Sequence, residues 1–130
     1  MKKILIVEDN KDSLEILGVR VTSIGYQVIK AHNSKEAIMY AEAEEPDLIF
    51  MDLDLPDLDG VKTTAILKKN PKTSRIPVVA VTAWMSALSE ERALRVGMAS
   101  YLIKPVSPQT LKETIEEYTK GAITRGEVRF

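Results

Sequence analysis

Five short apolar runs alternate along this chain with longer segments of helical periodicity, and that alternation constrains the fold more than any other feature. The run Ile4-Leu5-Ile6-Val7 is continuous, rich in β-branched residues and bounded by charges. Such a run reads as a strand covered on both faces. Gln27 to Ala31 is a weaker second run, suited to a sheet edge. Leu48 to Met51 is the third, Ile76 to Val81 the fourth and Ser100 to Ile103 the fifth. Pro77 stands near the start of the fourth, where a strand tolerates proline best. Strand and helix alternating with short connections predict an α/β fold, a parallel sheet with helices on both faces.

The helical segments carry their own punctuation. Leu14, Leu17, Val21 and Ile24 recur at helical spacing, as a core-facing stripe rather than a partner groove, and Gly25 stops that helix. Ser34 is expected to cap the second helix, with Glu36 in its first turn, and Pro46 closes it after about Glu45. A third helix covers about Val61 to Lys69, before Asn70-Pro71. Ser86 or Ser89 caps a fourth, ending near Gly97. Ser107-Pro108 is a serine cap with proline at the first helical position, for a fifth helix to about Lys120. Residues 1–120 therefore read as one domain, and residues 121–130, without periodicity, as a tail expected to fray.

Composition excludes several functions. The 18 Lys+Arg and 19 Asp+Glu leave a formal net charge of −1, without the basic footprint of a nucleic-acid binder. With no cysteine there is no thiolate metal site or thiol nucleophile. No apolar run is long enough for a signal peptide or a membrane span, so a cytoplasmic protein is expected.

Sites in open α/β sheets form outside the carboxyl ends of the strands, where strand order reverses. Glu8 and Asp9 follow the first run, Asp52 the third, Thr82 the fourth and Lys104 the fifth. Carboxylates brought this close repel one another unless something neutralises them. Mg²⁺ is the simplest answer, because it prefers oxygen ligands and needs only one or two carboxylates beside water and phosphate oxygens. Asp52 then keeps an oxygen free as a nucleophile for a phosphoryl group. Lys104 offers a point charge and Thr82 a hydroxyl for the phosphoryl oxygens.

The segments Ile4-Leu5-Ile6-Val7-Glu8-Asp9-Asn10, Pro46 to Asp52, Val79-Ala80-Val81-Thr82-Ala83 and Tyr101-Leu102-Ile103-Lys104-Pro105 together resemble the signature segments of the response-regulator receiver domain. The resemblance spans roughly residues 2–120. It implies a doubly wound, flavodoxin-like sheet of order 2-1-3-4-5, an order known for such folds rather than derived from this sequence. It further implies that Asp52 is the phosphoacceptor, and that Glu8, Asp9, Asp52 and the main-chain carbonyl of Asp54 hold Mg²⁺. Thr82 would follow the phosphoryl group inward and Tyr101 would follow Thr82, as the switch pair. Pro105 would follow a cis peptide bond. Asp54 and Trp84 would flank the approach of hydrolytic water, the tryptophan crowding it out. The implied donor is a histidine kinase or a histidine phosphotransfer protein. With no output domain after Lys120, the output is expected to be contact with a downstream protein target. The chain would be a stand-alone signalling switch, not an enzyme acting on other substrates.

Other readings fit less well. The loop acids Asp54, Asp57 and Asp59 suggest calcium, but an EF-hand loop with Gly60 at its sixth position would begin at Leu55, where an acid is required. A flavin-binding electron carrier shares the fold order, but Glu8-Asp9-Asn10 would repel a flavin phosphate. A receiver that only docks without reacting remains an alternative, as does one receiver belonging to a larger kinase. His32, the only histidine, has no second histidine to form a soft metal site and reads as a loop residue.

Overall fold

The computed structural model describes residues 1–120, and the expectation for the 121–130 tail lies outside them. Five strands form one sheet: β1 (Lys3–Val7), β2 (Gln27–Ala31), β3 (Leu48–Met51), β4 (Val78–Thr82) and β5 (Ser100–Ile103). Between and after them lie α1 (Lys11–Ser23), α2 (Ser34–Glu44), α3 (Gly60–Lys69), α4 (Ala87–Val96) and α5 (Pro108–Thr119). All strand pairs are parallel and the order is β2-β1-β3-β4-β5, so the expected doubly wound architecture is the observed one.

Alternate side chains of each strand go to opposite faces, so the continuous apolar runs fill two cores. Ile4, Ile6, Leu48, Phe50, Val79 and Val81 pack under α1 and α5, against Leu14, Leu17, Val21, Leu111 and Ile115. Leu5, Val7, Ile49, Met51, Val78 and Ala80 face α2, α3 and α4, against Ala37, Ala41, Val61, Leu67 and Ala93. Phe50 is 1% exposed. Full burial of such a side chain stabilises by roughly 1.5–3 kcal/mol.

Two expected boundaries are corrected. Asn33, not Ser34, caps α2, its side chain accepting from the Glu36 N–H at 2.8 Å. Ser34 is buried instead, as the first helical residue. β4 starts at Val78 rather than Ile76 and extends to Thr82. Pro77 has no N–H for the ladder, yet its carbonyl still accepts from Ile49 N–H at 3.0 Å, just outside the strand. The longer C-terminal end brings Thr82 into register with Ile103, and the Lys104 N–H donates to the Thr82 carbonyl at 2.9 Å. Ser86 is the cap of α4, and Ser107 with Pro108 opens α5.

Candidate functional site

The strand order reverses between β1 and β3, and the crevice at their carboxyl ends collects the polar residues. Glu8 leaves β1 with its N–H still bonded to the Ala31 carbonyl at 3.0 Å, and Asp52 leaves β3 with its N–H on the Val7 carbonyl at 3.0 Å. The ladder thus fixes both backbones up to the acids themselves. Both side chains are buried, Glu8 2% and Asp52 6% exposed, while Asp9 is open to solvent. Oxygen atoms of Glu8, Asp9 and Asp52 all lie within 4.8 Å of one another. Beyond Asp9, Asn10 caps α1 by accepting from the Ser13 N–H at 2.9 Å, and Glu8 accepts the Asn10 N–H at 3.1 Å.

Lys104 arrives from β5, before a cis bond to Pro105, and its ammonium donates to Glu8 and reaches Asp52 Oδ2 at 3.5 Å. Asp52 Oδ1 accepts the Asp54 N–H at 3.1 Å. Burial is the main force on Asp52 and, with the neighbouring Glu8 carboxyl, pushes its pKa up to about 6, although the Asp54 N–H and the Lys104 charge pull the other way. Burial alone would lower Lys104, but the hydrogen bond to Glu8 and the charges of Asp52 and Glu8 outweigh it and raise the ammonium's pKa. One ammonium thus reaches two of three clustered carboxyl groups, all of them hard oxygen donors. That donor set fits a small divalent cation such as Mg²⁺.

The response regulator receiver domain family matches this chain over residues 4–116. This chain belongs to that family. Among curated relatives, the polar-differentiation response regulator DivK of Brucella anthropi is 38% identical over 121 residues, covering 93% of this chain and 98% of DivK. DivK of Brucella ovis is 37% identical over the same span. The receiver domain of sensor histidine kinase PA1611 from Pseudomonas aeruginosa, solved with a magnesium ion coordinated in its active site cleft, is 31% identical with a TM-score of 0.85, over 91% of this chain and 97% of that one. Chemotaxis protein CheY4 of Vibrio cholerae shares the fold at a TM-score of 0.86 and 24% identity, over 91% of this chain and 98% of that one.

In this receiver Thr82 ends β4 at 1% exposed, and its hydroxyl donates to the Trp84 carbonyl at 3.4 Å. Tyr101 pairs in register with Ala80, two positions before Thr82 on β4. Its ring packs half-buried on the α2–α3–α4 core, and a hydrogen bond to Glu90 in the first turn of α4 raises its pKa. Trp84 is 73% exposed. His32 sits in the loop after β2, paired with Glu36 at 3.1 Å. Among the described residues no helix is long and apolar enough to cross a membrane.

Several residues of the site escaped sequence reasoning. A Cβ on Gly60 would meet the Asp52 carbonyl oxygen at 2.2 Å and Leu53 Cα at 2.9 Å, so only glycine lets α3 close against the acid's backbone. The three loop acids are tied into the fold, Asp54 by its main chain and Asp57 and Asp59 by their carboxylates. Asp54 gives its N–H to Asp52. Asp57 accepts the Ser34 and Lys35 N–H groups, the first of which does most to hold its carboxyl below the usual range. Asp59 caps α3 through the Lys62 N–H at 2.8 Å and meets Arg92 at 3.3 Å. Burial opposes these two contacts, which together still lower the Asp59 pKa. Gly60 follows a capping aspartate, a readable signal; Asp57 and Glu90 reach across the fold and leave none.

Proposed function

We propose that this receiver accepts a phosphoryl group on Asp52 from the phosphohistidine of a histidine kinase or histidine phosphotransfer protein. The observation that carries the reading is the convergence of Glu8, Asp9 and Asp52 with Lys104 reaching two of them. In this reading an Asp52 carboxylate oxygen attacks phosphorus, the P–N bond to the donor imidazole breaks, and the imidazole leaves with the bonding pair. Lys104 turns its charge to a phosphoryl oxygen, and Thr82 rotates its hydroxyl from the Trp84 carbonyl to another. Glu8, Asp9, Asp52 and the Asp54 main-chain carbonyl are the residues that would hold Mg²⁺. Bound there, the ion would neutralise the carboxylates and phosphoryl oxygens.

The reading extends to output. Residues 1–120 form the switching unit, and Tyr101 follows Thr82 once the hydroxyl has moved. The face of α4, β5 and α5 then binds a downstream protein in the cytoplasm. The chain is a switch that handles only its own phosphoryl group. The test of the switch is Thr82→Ala. Phosphorylated wild-type protein is expected to shift amide resonances throughout α4 and β5, and phosphorylated Thr82→Ala to leave most of them in place. Equal shifts in both proteins would remove Thr82 from the coupling.

A further inference from the structure

Asp57 lies five residues beyond Asp52, in the loop joining β3 to α3, and its carboxylate grips a different element. One oxygen accepts the Ser34 N–H at 2.9 Å and the other the Lys35 N–H at 3.1 Å. These are the first two residues of α2, whose opening N–H groups have no partner inside the helix and sit at the positive end of its dipole. A second tie lies beside it, where the Thr63 hydroxyl donates to the Ser34 hydroxyl oxygen at 2.8 Å in the buried interior. The loop is held at its ends by the Asp54 N–H on Asp52 Oδ1 at 3.1 Å and by the Gly60 N–H on the Leu53 carbonyl at 2.9 Å. Between those ends, Asp57 reaches across to α2.

We infer that Asp57 is a positioning residue for the metal site: it clamps the β3–α3 loop to the start of α2 and so sets the place of the Asp54 main chain. The inference rests on the proposed Mg²⁺ role of Glu8, Asp9, Asp52 and Asp54. It adds a residue that touches neither metal nor phosphoryl group, and it makes the N-terminal end of α2 part of the site's framework. A clamp of this kind acts on affinity. Without it the loop samples other positions, and ordering it must be supplied by the ion on binding.

The test is a Mg²⁺ titration followed by amide chemical shifts of Asp9 and Asp54, on four proteins. Asp57→Ala is expected to bind Mg²⁺ about tenfold more weakly than wild type, the low end for residues that support metal ligands from outside. Asp57→Asn keeps one carbonyl oxygen for one of the two N–H groups and is expected to fall between. Asp47→Ala is the control: Asp47 accepts the Lys3 N–H at 2.8 Å at the opposite end of the sheet, so its loss loosens the fold without touching the loop. It is expected to bind Mg²⁺ as wild type does. At saturating Mg²⁺, Asp57→Ala is expected to regain the wild-type maximal rate of phosphorylation by acetyl phosphate. Unchanged affinity in Asp57→Ala, or an equal loss in Asp47→Ala, would overturn the clamp while leaving the metal site standing. Wild-type protein that binds no Mg²⁺ would overturn the functional reading, and the clamp with it.

Discussion

Asp52 is raised from 3.8 to about 6, so the folded protein binds its proton more tightly than the unfolded chain does. Its ionised form therefore costs folding free energy above pH 6, and that cost fades as pH falls from about 6 toward 4. The shift sets an upper bound of about 3 kcal/mol, at roughly 1.4 kcal/mol per pKa unit. In metal-free protein, Asp52→Asn is expected to be more stable than wild type at pH 7.5, by no more than that bound, in which the attraction of Lys104 is already included. The gain is expected to shrink at pH 5, where wild-type Asp52 is already largely protonated. Urea unfolding in the presence of a chelator measures both; a variant less stable at pH 7.5, or equally stabilised at both pH values, would contradict the assigned cause. The residues that stand in the crevice were legible because each ends a strand: Glu8, Asp9, Asp52, Thr82 and Lys104. Those that shape it from elsewhere were not. Asp57 meets Ser34 across 23 positions, and the Tyr101–Glu90 contact joins a strand to a helix before it. No local pattern announces such pairs.

At the scale of elements, caps decide where helices begin. Asn33 gives α2 its cap, and Ser34 turns inward to Thr63. Asn33→Ala is expected to cost about 1 kcal/mol, the usual loss for removing an N-cap side chain. A denaturation midpoint unchanged by that substitution would return the capping role to Ser34. Adjacent residues of nearly equal capping preference cannot be separated by sequence; here the buried Thr63 hydroxyl claims the serine. β3 and β5, by contrast, begin and end where their apolar runs do. The fourth apolar run begins two residues before its strand, because Ile76 and Pro77 are apolar but the paired residues start at Val78, Pro77 offering only its carbonyl to the ladder. Hydrophobicity marks burial, and Ile76 is indeed buried without being in the strand.

Over the whole molecule, the order β2-β1-β3-β4-β5 turns scattered residues into one site. Glu8 and Lys104 stand 96 positions apart in sequence, yet touch. The same order leaves β5 at the sheet edge, so Thr82 and Tyr101, the proposed switch pair, lie between the crevice and the proposed output face. The claim on which the account depends is that Asp52 is the phosphoacceptor. Intact mass spectrometry after incubation with acetyl phosphate and Mg²⁺ tests it most directly. The account predicts one added phosphoryl group on wild-type protein, none when the metal is chelated, and none on Asp52→Asn. Full incorporation by Asp52→Asn would place the acceptor elsewhere and contradict it.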